Sequence, residues 1–222
     1  MTTPRFDIYR LIHKGLRSCL TETLLTIGKM DPSSDHDVRH GIQQLRQLLE
    51  FCQSHLEHEN EFVHPAMDAC QPGSADSMFL HHQHHETMIA ELHGAAAQLL
   101  VTDAHQRAPL AAALYRNLAV FVADNLAHMH EEETRNNAIL WQGYSDDEIR
   151  AIEHRIVASL TPEKNAQTMQ WMLPAMNHQE RHQFLCGMRR EAPANVFAMV
   201  LDIAREQLGR TDWNKLQFAL AC

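Results

Sequence analysis

Seventeen histidines in 222 residues, beside 28 aspartates and glutamates, give this chain an unusual stock of imidazole and carboxylate groups. The stretch EFCQSHLEHENEFVHP at 50–65 holds three histidines and four glutamates in sixteen positions. Side chains of this kind bind cations, move protons or simply face water. The choice depends on which of them share a helix face with apolar neighbours. Four places satisfy that condition. His13 falls between Tyr9 and Leu16, and His55 and Glu59 fall between Cys52 and Phe62. His81 and His85 fall between Met78 and Met88, and His128 and Glu132 continue the line through Phe121 and Asn125.

The elements that must position these groups read as helices. Gly and Pro number only eight each, and strand signals are nearly absent. Thr3 and Pro4 form an N-cap and first-turn pair, followed by a seam of Phe6, Tyr9, Leu16, Leu20, Leu24 and Ile27. GKMDPSSD breaks the chain. A second seam, Leu45, Leu48, Cys52 and Phe62, stops near Pro65, and CQPGS is the next turn. A third runs Met78, Met88, Leu92, Ala95 and Leu99, ending between Asp103 and Pro109. A fourth runs Leu114, Leu118 and Phe121 toward Gly143. Long helices with short connections predict an all-α, up-down-up-down four-helix bundle over residues 1–143. Capping boxes at SDDE (145–148) and NHQE (177–180), a TPE start at 161, and openings at Pro193 and Thr211 predict shorter helices over 144–222. Within that extension WMLPAMNHQERHQFLCGM is Met-rich and amphipathic, fit either for ordinary core or for an adaptable binding face.

Register strengthens the case for a shared site. His13, His55, His85 and His128 each lie roughly 18 to 20 residues, or about 27 to 30 Å, from the same end of an antiparallel bundle. Five imidazoles and two carboxylates turned inward at one level leave buried polar groups that only a cation can make tolerable. One tetrahedral zinc cannot use seven ligands. Two ions sharing both carboxylates can, with one coordination position left for a small ligand. Imidazole with carboxylate and no thiolate favours iron, with manganese or zinc possible. Tyr9, Cys52, Phe62, Met78, Met88 and Asn125 are expected about one turn from a ligand. Of these, Tyr9 and Asn125 are candidates to hydrogen-bond at the site, and Cys52 is either a small core residue or a redox-reactive thiol. His58, Glu61, His82, His84 and His130 lie off the seams and are expected to face water.

LIHKGLR, HLEHE, HHQHH and HMHEE, in that order over residues 5 to about 135, resemble the hemerythrin-like, HHE cation-binding family. The resemblance implies His13, His55, His81, His85 and His128 as terminal ligands and Glu59 and Glu132 as bridges between two non-haem iron ions. It further implies a protein that binds or senses dioxygen or nitric oxide. Alternatives of the same kind are an iron donor for repair of iron–sulfur centres, a stress-defence protein that reduces peroxide or nitric oxide, and a metal-dependent regulatory module. In the last, residues 145–222 would meet a protein partner.

Other classes are disfavoured. The net charge is −9 and no basic run is present, so nothing marks a nucleic-acid or anionic-membrane partner. No apolar run reaches the length of a membrane span. The start lacks a signal-peptide layout. Five scattered cysteines (Cys19, Cys52, Cys70, Cys186, Cys222) read as reduced thiols in a cytoplasmic protein.

Overall fold

The computed structural model describes residues 5–221, and among these every regular element is helical. Among the described residues no helix is long and apolar enough to cross a membrane. The Thr3–Pro4 pair and Cys222 lie outside the described residues. Helix α1 spans Arg10–Lys29. It therefore begins later than the seam suggested, and Phe6 and Tyr9 belong to the non-helical segment before it. Helix α2 spans Asp35–His58, with the Ser34 hydroxyl accepting from the Asp37 amide as its N-cap. Helices α3 (His64–Cys70), α4 (Asp76–Val101), α5 (Arg107–Glu131) and α6 (Asn137–Gly143) follow. Then come α7 (Asp146–Ser159), α8 (Pro162–Ala175), α9 (His178–Glu191), α10 (Ala194–Gln207) and α11 (Arg210–Ala221).

The chain divides into two compact units. One comprises the chain up to Tyr9 together with Cys19–Ile156; the other comprises Arg10–Ser18 together with Val157–Cys222. The division thus falls after Ile156 rather than at Gly143. Burial explains the difference: Ile149 and Ile152 of α7 join Val63, Met67, Ile139 and Leu140 in one apolar cluster of the first unit. Within that unit α4 packs along α2 and α5, and α3 packs on α6. Arg107, at the start of α5, reaches Asp35 at the start of α2 at 2.6 Å. Residues before α1 are tied down by specific polar contacts. Arg5 donates to the carbonyls of Trp141 and Tyr144 at 3.0 and 2.6 Å, while the Trp141 indole donates to the Phe6 carbonyl at 2.7 Å.

In the second unit, α8 packs on α10 and α9 on α11. Met169, Met172 and Met176 are buried with Leu173, Leu185, Val200, Ile203 and Leu216, so the Met-rich stretch supplies core. The capping box at Asn177 and Glu180 is present, and Thr161 caps α8. Gly15 on α1 allows close approach to Met172.

A small residue is also required where α6 meets α3. A Cβ on Gly143 would collide with Sγ of Cys70. Gly143→Ala is expected to cost about 1–3 kcal/mol in denaturant unfolding. Adding Cys70→Ala should return part of that loss, and a simple sum of the two single effects would show the contact to be unimportant.

Candidate metal centre

The two long helices that carry the carboxylates each change pitch where the carboxylate sits. Glu59–Val63 and Glu132–Asn136 are π-helical. The His64 amide bonds the Glu59 carbonyl and the Asn137 amide bonds the Glu132 carbonyl, each five residues back. Such single wide turns rotate everything beyond them relative to an unbroken α-helix, and they recur at functional sites. Here they let α2 and α5 deliver Glu59 and Glu132 to the interior, after which α3 and α6 pack in a new register.

Within the first unit, Glu59, His82, His128 and Glu132 are all buried, and one ligand atom of each lies within 4.8 Å of the others. His82 Nε2 is 3.5 Å from Glu59 Oε2, 3.8 Å from Glu132 Oε1 and 3.1 Å from His128 Nε2. His128 Nε2 is 3.2 Å from Glu132 Oε1. His55 approaches the same carboxylates from α2, its Nε2 3.3 Å from Glu59 Oε1.

The tautomer of His82 is the informative detail. Its Nδ1 lies 2.8 Å from the amide oxygen of Asn60, which can only accept, so Nδ1 carries the proton. In the neutral ring Nε2 is then a lone pair, 3.1 Å from His128 Nε2 and facing the two carboxylates. Burial holds the His82 pKa below the ordinary imidazole value, which keeps the ring neutral. Burial, reinforced by the facing Glu132 carboxylate, pushes the Glu59 pKa well up. Neither oxygen of Glu59 meets a hydrogen-bond donor in good geometry among the described residues, nor does Nδ1 of His128. Imidazole nitrogens and carboxylate oxygens thus converge in one buried group. That is the chemistry of a cation site, and these buried histidines and glutamates can hold a metal ion.

Sequence-predicted residues distribute as follows. Glu59, Glu132, His55 and His128 meet as expected. His13 is fully buried on helix α1, in the stretch Arg10–Ser18 that clusters with the second unit. His81 does not join: its side chain is half exposed and its Nδ1 lies 4.0 Å from Glu131. Its place is taken by His82, which the sequence reading left to solvent. The reason is register. Buried positions of α4 recur at Met78, His82, His85, Ile89, Leu92, Ala96 and Leu99, alternating steps of four and three, whereas the expected seam ran through Met88 and Ala95. Reading back from Leu99 through Ala96 and Ile89 would have found His82. His85 is buried as expected but outside the group; its Nε2 bonds Asp124 Oδ2 at 2.9 Å, and its ring lies 4.8 Å from that of His128.

His64 was not anticipated. It is buried, its ring stacks on His82 at 4.8 Å, and its Nε2 lacks a partner among the described residues. Burial lowers its pKa to about 4. Only the π turn brings it inward, and no sequence periodicity signals that turn. Tyr9 is buried with its hydroxyl accepting from Asn136 Nδ2 at 3.3 Å, and burial followed by the Glu59 and Glu132 charges raises its pKa. Asn125 instead donates to the Phe121 carbonyl of its own helix at 2.8 Å. Cys52 is buried and burial pushes its thiol pKa up, which makes it a small core residue rather than a reactive thiol.

Comparison with protein-family models, curated proteins and solved structures finds no match to this chain.

Two outcomes follow from the geometry. His82→Ala should lower bound metal, measured by elemental analysis, while His81→Ala leaves it unchanged; the reverse pattern would restore the original register. The metal-free protein also carries a pH signature. A carboxyl pKa raised by folding lends its stability below the unfolded value of 4.5 and loses it as pH climbs through the raised value. Histidine pKa values lowered by folding act oppositely, but only below the ordinary 6.5. Metal-free stability should therefore fall as pH rises through the raised carboxyl value, and Glu59→Gln should flatten the decline in thermal melts.

Proposed function

We propose that this chain is a hemerythrin-like, non-haem di-iron protein that binds or senses dioxygen or nitric oxide. The long helices α1, α2, α4 and α5 are read as an up-down-up-down four-helix bundle around the centre. Glu59 and Glu132 serve as shared bridges, His82 and His128 as the nitrogens of one ion, and His55 as a nitrogen of the other. The observation that supports the reading is the convergence of His82, His128 and the carboxylates of Glu59 and Glu132 in one buried group. When bound, the ions supply open coordination positions for a small ligand.

The protein's own residues set the surroundings of that ligand. Asn60 fixes the ring orientation of His82, as groups behind metal-bound histidines commonly do. Asn136 holds the Tyr9 hydroxyl, and His64 presents a buried ring against His82. Phe121 packs edge-on to His85, adding an apolar wall. The alternative readings, reduction of peroxide or nitric oxide and iron donation, use the same ligands and differ in turnover. No residue outside the centre favours either.

Purified protein should contain about two metal ions per chain, mainly iron, as this ligand set favours. Loading the metal-free chain should release protons, because burial favours the neutral carboxyl of Glu59 and a bound cation favours the charged one. Calorimetry in buffers of different ionisation enthalpy reads their number. Reduced, iron-loaded protein should change its visible spectrum under dioxygen or nitric oxide and recover on degassing. Continuous consumption of the gas or of peroxide would favour the reducing reading, and transfer of iron to an apo iron–sulfur acceptor the donor reading.

A further inference from the structure

Beside the centre, on the faces of α4 and α5, lies a pocket of about 150 Å³ lined by His81, His84, His85, Asp124, His128 and Glu131. Its composition is unusual for a surface depression: beyond Ala127, every lining residue is an imidazole or a carboxylate. The groups occur in two pairs at the mouth. His84 Nε2 stands 3.8 Å from Asp124 Oδ2, and His81 Nδ1 stands 4.0 Å from Glu131 Oε2. All four of these side chains are more than a third exposed. Deeper in, His85 is almost wholly buried and hydrogen-bonded to Asp124 through Nε2, while its Nδ1 is buried without a partner among the described residues. His128 ends the series. It lines the pocket and also belongs to the buried group with Glu59, His82 and Glu132.

We propose that this pocket is the entrance through which divalent cations load the centre, with Asp124 and Glu131 as the capture groups and His85 as the relay to His128. The inference rests on the metal reading above. Electrostatics supports the direction of traffic: two exposed carboxylates at a concave mouth concentrate cations before any inner ligand is reached. Ligand chemistry supports the path. The mouth presents two imidazole–carboxylate pairs, and the lining continues inward through the imidazoles of His85 and His128. Ring centroids of His85 and His128 are 4.8 Å apart, and those of His81 and His128 5.6 Å, so each handover is short. The half-exposed position of His81 thereby has a use that ligation of the final site does not give it.

The test is the rate of loading of the full-length, metal-free chain with cobalt(II) alone, followed by its visible absorption after rapid mixing. Asp124→Asn and the double variant His84→Ala/Glu131→Gln should each load roughly tenfold more slowly. Both should reach the wild-type cobalt content. High salt should slow the wild type more than the double variant, which retains only the Asp124 charge at the mouth. Because Asp124→Asn also weakens the His85 hydrogen bond, the double variant, which touches only exposed side chains, gives the independent reading. Wild-type rates in both variants with normal final content would overturn the entrance and leave the centre standing. Loss of final content in the double variant would also overturn it, by making these residues ligands. A wild-type chain that takes up no cobalt would overturn the centre and the entrance together.

Discussion

Two carboxylates that face each other in a protein interior repel, and each has surrendered its water to get there. Nothing in the first unit is harder to account for than Glu59 opposite Glu132, both almost fully buried. Desolvating a pair of like charges costs several kcal/mol per ion, and the neighbours that reach them are imidazoles. A protonated imidazole would offset the charge, yet burial depresses the pKa of His82, and Asn60 already holds its one proton on the far nitrogen. Protonation of His82 is therefore closed off as a remedy. What remains is a retained proton on the carboxyl pair or a cation among all of the groups, and these two states compete for the same volume.

The scaffold around the pair is organised to hold it against that repulsion. Both π turns begin at the carboxylates themselves, so a helix that would rotate Glu59 or Glu132 away cannot do so without re-registering α3 or α6. Those two short helices are in turn locked together and to Ile149 and Ile152 of α7 by apolar packing. Asp7 accepts from Asn137 at 2.7 Å and from the Tyr9 amide at 3.0 Å, so the segment before α1 is fixed to the same turn of α6 that follows Glu132. A wide turn is a weak element alone. Flanked by packing on both sides, it becomes a rigid bracket for one side chain.

How much of this could be read from residues alone depends on what sets each position. Glu59, His55, His128 and Glu132 interrupt apolar seams on stretches of regular helix, where spacing maps onto a face, and they were found. A seam through Met88 and Ala95 points to His81 rather than His82; one residue of error on an α-helix is about 100° of rotation, enough to exchange core for solvent. His64 lies beyond a π turn and no α-helical count can reach it. The boundary after Ile156 was missed for a different reason. Capping signals mark where helices start, and SDDE does start α7, but a cap says nothing about which core the helix then joins. That depends on Ile149 and Ile152, whose partners are more than eighty residues distant in Val63 and Met67.

The polar cluster also explains why the apolar part of the unit is as regular as it is. Along α4, Ile89, Leu92, Ala96 and Leu99 are buried in unbroken alternation of three and four, and Leu114, Leu118 and Phe121 of α5 and Val38, Ile42, Leu45, Leu48 and Leu49 of α2 are buried alongside. The polar positions begin only after that layer, at His85 and Asn125, and end at the π turns. Folding free energy and chemistry are thus carried by different lengths of the same helices. The leucine-rich half supplies burial of the kind that drives folding, and the histidine half takes on groups that oppose it. A chain with the two kinds of residue interleaved would have to balance them turn by turn. Separated along the axis, the apolar half can hold α2, α4 and α5 in register whether the carboxyl pair holds a proton or a cation, and the centre can exchange one for the other without the helices coming apart.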